Sequence, residues 1–220
     1  MKYILLSALL LFAPALAAQE DKKSDEKSIK VRLLAVVAPP EIGKVYLIAN
    51  EDRTPLFDLP VSNVSEPLKV SARTLILKTA EKDAPLCNIL LPEAGKRFVV
   101  VLSPAKPAGY SAHVIRTDDN SFRTGDCFFV NLTQKSILGK LGTKTFMLES
   151  GKTAVHRPEG ARPENFYDIA FATRGDDGDR ILSTTRWPVD EQIRSYLFFI
   201  QNSTGQITCR AVDEFVMDER

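Results

Sequence analysis

Three cysteines, two histidines and a few paired carboxylates are the side chains of this 220-residue chain that could carry chemistry. A thiol or hydroxyl nucleophile needs a neighbouring base to take its proton, so Cys87, Cys127 and Cys209 matter only beside His113 or His156. Neither histidine has a partner at a diagnostic spacing, and the chain contains no G-x-S-x-G, H-E-x-x-H or C-x-x-C motif. A Cys127–His156 pair would have to be assembled in space by the fold. Asp118-Asp119 could serve glycoside hydrolysis only if a further acid faced them across about 5 to 9.5 Å. Ser150-Gly151-Lys152-Thr153 looks like the end of a phosphate loop, but Phe146 stands where that loop requires glycine, and the segment reads as a turn between strands.

The Asp176-Asp177-Gly178-Asp179 stretch lacks the alternating acids and later glutamate of a calcium loop. It reads as a solvated hairpin tip, with Asp176 and Asp177 as candidate partner contacts beside the Arg174-Gly175-Asp176 tripeptide. Trp187, placed before Pro188 at a strand end, is the third candidate contact for a partner or a sugar. Tyr110 is the other candidate stacking platform. In an oxidising compartment Cys127 and Cys209 are the pair expected to bridge, leaving Cys87 as a thiol; the alternative is three reduced, buried cysteines. Asn63, Asn131 and Asn202 fit the glycosylation acceptor pattern and read as turn and strand-end residues. These residues imply no catalytic constellation, no cofactor and no metal site.

The elements that position these residues are strands. From Ile29 onward apolar residues recur with period two, over 29–38, 44–49, 56–59, 68–71, 74–79, 97–103 and 110–116. The pattern continues over 126–132, 137–141, 143–148, 153–157, 166–174, 180–186, 195–201 and 206–212. One short helix, at most two turns, is suggested over 188–194 by Pro188 and by the acids Asp190 and Glu191. Polar, glycine-containing loops at 175–179 and 202–205 signal two hairpins. Strands this short and this regularly spaced predict an all-β fold, a β-sandwich, with a duplication into two halves in tandem at 29–118 and 119–220 as one of two open readings, the other being a single sandwich whose halves rhyme only because β-sandwiches look alike. The halves rhyme where Gly43 and Gly125 each open a strand, and where 98–102 with 110–115 matches 196–200 with 207–212. Tyr196-Leu197-Phe198-Phe199-Ile200 is apolar on both faces, which implies a strand covered on both sides.

Lys2, the apolar run 3–12 and Ala15-Leu16-Ala17 make residues 1–17 a secretory signal peptide, too short in its apolar part to be a membrane span. Residues 18–28 mix both charge signs without aromatic or β-branched residues and read as a flexible charged spacer. With 29 basic and 28 acidic residues there is no positive excess for neutralising phosphates, so a nucleic-acid partner is not expected.

The run Gly125-Asp126-Cys127-Phe128-Phe129-Val130-Asn131-Leu132-Thr133, followed by Gly139-Lys140-Leu141-Gly142 and Ser150-Gly151-Lys152, resembles exported bacterial immunoglobulin-like β-sandwich proteins associated with pili and the cell envelope. The similarity covers mainly residues 119–220 and the leader. It departs from the antibody pattern, because Trp187 lies near the second cysteine of the 127/209 pair. The resemblance implies a non-catalytic structural or adhesive role in the periplasm, at the outer membrane or on the cell surface, with an envelope or pilus protein as partner. A secreted carbohydrate-binding module is the alternative, and a hydrolase the third reading.

Overall fold

The computed structural model describes residues 28–175 and 178–216. The leader, the spacer up to residue 27, and Asp176 and Asp177 lie outside the described residues. Among the described residues the chain is all-β, apart from a 3-10 turn at Pro40–Ile42. The first inner sheet runs β5 (Leu68–Val70), β1 (Ile29–Ala35), β8 (Arg97–Pro104) and β9 (Tyr110–Arg116). The first outer sheet runs β3 (Asp52–Arg53), β2 (Lys44–Ala49), β6 (Thr74–Thr79) and β7 (Pro85–Leu90), with β4 (Phe57–Asp58) also on β2. The second inner sheet runs β13 (Thr153–His156), β10 (Cys127–Asn131), β16 (Ile193–Gln201) and β17 (Ile207–Phe215). The second outer sheet runs β12 (Lys144–Leu148), β11 (Ile137–Leu141), β14 (Phe166–Gly175) and β15 (Gly178–Pro188).

The two sandwiches share one topology. In each, the first strand pairs in parallel with the next-to-last (β1 with β8, β10 with β16) and antiparallel with a short strand (β5, β13). The structural counterpart of β2 is therefore β11, so the segments opened by Gly43 and Gly125 are not equivalent. The matching of β8 and β9 with β16 and β17 does agree with the strand order.

Three cores separate four layers. Leu33, Leu47, Leu77 and Val100 fill the first sandwich, and Phe129, Ile137, Phe171 and Phe199 the second. Between the inner sheets lie Leu34, Val99, Val101, Phe122, Phe128, Tyr196 and Phe198. Successive side chains of a strand point to opposite faces, so Leu33 and Leu34, or Phe198 and Phe199, enter different cores. A strand covered on both sides must be apolar at every position, which is the pattern of 196–199, all fully buried.

The central core also holds charge. Glu214 accepts hydrogen bonds from Arg32 Nη1 and from the Tyr196 hydroxyl, the latter at 2.6 Å. Arg194 Nη1 lies 4.0 Å from the same carboxylate, and Arg194 Nη2 donates to Thr117 O at 3.2 Å. Burial and the Glu214 carboxylate push the Tyr196 hydroxyl well above its ordinary 10.0.

Two sequence expectations are corrected. Residues 189–192 form a tight connection in place of a helix, because Asp190 Oδ1 accepts from Gln192 N at 2.8 Å and β16 begins at Ile193. Cys127 and Cys209 are not bridged; all three cysteines are free. Cys127 aligns through Ser195 with Asp213, whereas Cys209 aligns through Phe199 with Asn131. Two strand spacings of about 4.8 Å and four residues of about 3.3 Å place their Cα atoms about 16 Å apart, far beyond the roughly 7 Å limit for a bridge.

Candidate functional site

A cavity of about 260 Å³ that gathers polar and aromatic groups opens at one end of the second sandwich. Its outer-sheet wall is Tyr167 and Trp187, cross-strand neighbours on β14 and β15 whose side chains pack against the second core. Phe171 supports Trp187 from within, with ring centroids 6.2 Å apart. Its inner-sheet wall is the register row Cys127, Ser195 and Asp213, and the 189–192 connection adds Asp190 and Glu191.

The charges around the cavity are unequal. Arg157 is its only basic lining residue among the described residues, and it is committed: Nε donates to the buried Asp126 Oδ1 at 2.6 Å, and Nη2 to Thr124 O. Asp126 Oδ2 is capped by Arg123 N at 2.7 Å. Asp213 accepts only the Ser195 hydroxyl, at 2.6 Å, among the described hydrogen bonds. Asp190, Glu191 and Asp213 thus border the cavity without an ion-pair partner among the described residues.

Register places His156 beside Cys127 in the row that continues to Ser195 and Asp213. The chemistry of that row opposes a nucleophile. Burial, helped by the Asp126 and Asp213 carboxylates, pushes the Cys127 thiol up to about 12, so it carries its proton at neutral pH. The His156 ring lies against Phe146, centroids 4.2 Å apart, with no described hydrogen bond to the thiol. His113 is in the other sandwich, 3.1 Å from Ser103 Oγ. Asp118 and Asp119 are both held by Arg116.

Both imidazoles are pushed below the ordinary 6.5, His113 by burial and His156 by burial and then the Lys144 charge. The unfolded chain therefore binds protons that the fold rejects. The stability this represents is complete above about pH 6.5 and is lost as pH falls through the depressed folded values. The urea midpoint is expected to drop between pH 7.5 and 5.5, and the His113→Gln, His156→Gln double variant to flatten that drop. An unchanged slope in the variant would contradict this assignment.

Trp187 is where the sequence placed it, at the end of a strand and beside an opening. Tyr110 is not a stacking platform: it is 7% exposed, and its hydroxyl donates to Val37 O at 2.8 Å. Asn131 is fully buried; its amide nitrogen donates to Lys135 O and Leu148 O while its oxygen accepts from Thr133, which makes it a turn organiser. Tyr167, Asp213 and Ser195 escaped sequence reasoning, because strands distant in sequence bring them to Trp187 only through register.

A second cavity, about 390 Å³, lies at the other end of β15, lined by Lys135, Arg180 and the 204–207 turn. Its counterpart in the first sandwich is closed. There Gly109, at φ 84, comes so near Leu86 that a Cβ would sit 2.3 Å from the Leu86 carbonyl oxygen, and β7 packs against β9. β15 and β17 make no comparable contact. The outer face of this sheet also carries an apolar row running Met147, Leu138, Ala172, Ile181 from edge to edge. In the first sandwich the matching face carries Tyr46 bonded to Asp83, with Lys78 paired to the same carboxylate at 2.8 Å.

Among the described residues no group of three or more potential ligands could hold a metal, and no helix is long and apolar enough to cross a membrane. Comparison with protein-family models and with curated proteins finds no match.

Proposed function

We propose that this chain is a non-catalytic, exported binding module of the cell envelope or a pilus, and that it meets a protein partner along β15 and the cavity at its Trp187 end. One observation carries the reading. β15 is an 11-residue edge strand, paired only with β14 among the described strands, and it ends at an aromatic-walled opening. An edge strand displays backbone donors and acceptors that an extended segment can complete, and adjoining pockets supply specificity. The export pattern of residues 1–17 and the high thiol pKa at Cys127 agree with it. The carbohydrate-binding reading keeps Trp187 as a stacking surface and gains Tyr167 beside it, but loses Tyr110.

Affinity capture from envelope fractions of the cells that produce the protein tests this reading. The expected result is a protein partner retained by the full chain and lost at least tenfold in Trp187→Ala. Trp187→Phe, which keeps the packing against Phe171, should show an intermediate loss. Recovery as a lone soluble monomer, or a glycan array response abolished by Trp187→Ala, would overturn it.

A further inference from the structure

We infer that the Trp187 cavity receives the ammonium or guanidinium head of a lysine or arginine carried by an extended partner segment, whose acidic residue sits at the far end of β15. This rests on the reading of β15 as the partner-facing edge and goes further by naming the partner's charge pattern.

Three observations converge. The cavity lining holds four acids, Asp126, Asp190, Glu191 and Asp213, against one base, Arg157, a balance of minus three. Arg157 is consumed by Asp126, so the remaining negative charge belongs to groups that face the opening. Aromatic faces attract cations through the ring quadrupole, and here Tyr167 and Trp187 stand side by side next to those carboxylates. A neutral sugar would call on the rings but leave the carboxylates uncompensated.

Size and polarity fix the rest. At about 260 Å³ the cavity takes a single side chain. Among the described residues, the 390 Å³ cavity at the opposite end of the strand is lined by Lys135 and Arg180 with no acid. Arg180 and Trp187 pair with Thr173 and Tyr167, which are six residues apart on β14 because β15 carries one extra residue at a bulge, so they are separated by roughly 20 Å at about 3.4 Å per strand residue. One edge strand therefore presents a basic recess and an acidic recess at a fixed separation. A regular extended segment with a base and an acid about six residues apart turns both to one face and satisfies both recesses while its backbone pairs with β15.

Trp187 is the only tryptophan in the chain, so its fluorescence reports the cavity directly. The probes are two seven-residue peptides of alternating valine and threonine, one with lysine first and glutamate last, the other reversed. One order should shift the Trp187 emission and saturate, and which one it is tells whether the segment runs antiparallel or parallel to β15. Replacing that lysine by acetyl-lysine should weaken binding at least tenfold, as should the Glu191→Gln, Asp213→Asn double variant, whose far-UV spectrum should stay that of the parent. Equal binding of the acetylated peptide, or silence with both orders, would overturn the inference. Spermidine binding as tightly as the better peptide would also overturn it, by making a free amine the ligand. If a Trp187-dependent envelope partner is captured equally by the double variant, the binding-module reading survives and the cation inference fails. If no capture depends on Trp187, both fail.

Discussion

Glu214→Ala is expected to lower stability by about 3–5 kcal/mol, because it strands buried charge between the two inner sheets. Glu214 is 4% exposed and is the one carboxylate that the described contacts give to Arg32, Tyr196 and Arg194. Removing it leaves guanidinium groups from both sandwiches facing apolar layers, and a hydroxyl without its acceptor. Glu214→Gln keeps the shape and an acceptor for Tyr196 but loses the charge, so it should fall between alanine and the parent. Urea titration of the full chain reads both variants. An alanine variant within about 0.5 kcal/mol of the parent, the range of an ordinary surface change, would show that this cluster does not hold the layers together.

Phe122→Ala should cost a similar amount, about 3–5 kcal/mol, by a different route. Phe122 belongs to the connection between β9 and β10, yet it is fully buried, with its ring edge-on to Tyr196 at 5.4 Å and to Phe128 at 6.3 Å. Arg194 covers it at 5.6 Å. Its loss opens a cavity in the only core shared by both sandwiches. Calorimetry should then resolve two transitions, against the single transition expected of the parent, since the cores within each sandwich remain intact. A single transition shifted only slightly would mean that the central core contributes little to cooperativity.

The strands were legible because their apolar residues alternate, and 44–49, 74–79, 110–116 and 137–141 match their observed limits. β7 was missed. Pro85 and Asn88 read as loop residues, but proline at the first position of an edge strand forfeits no ladder bond, and only Ile89 of that strand is buried. The doubly covered strand at 196–200 was visible as an unbroken apolar run. Glu214 was not, because an acid among alternating apolar residues looks like a wet-face position. Only the packing of one inner sheet on the other buries it. Within the candidate site, Trp187 was visible as a large aromatic residue at a strand end. Its neighbours come from sequence positions tens of residues away and were beyond local pattern.

The clasp between Arg32 and Glu214 joins the first strand to the last. Both termini of the described chain consequently emerge from the middle layers of the stack. Any tether attached there would grip the molecule at its waist, leaving the two outer sheets to look in opposite directions, one polar and one greasy. Held that way, the molecule would present two chemically unlike faces on opposite sides.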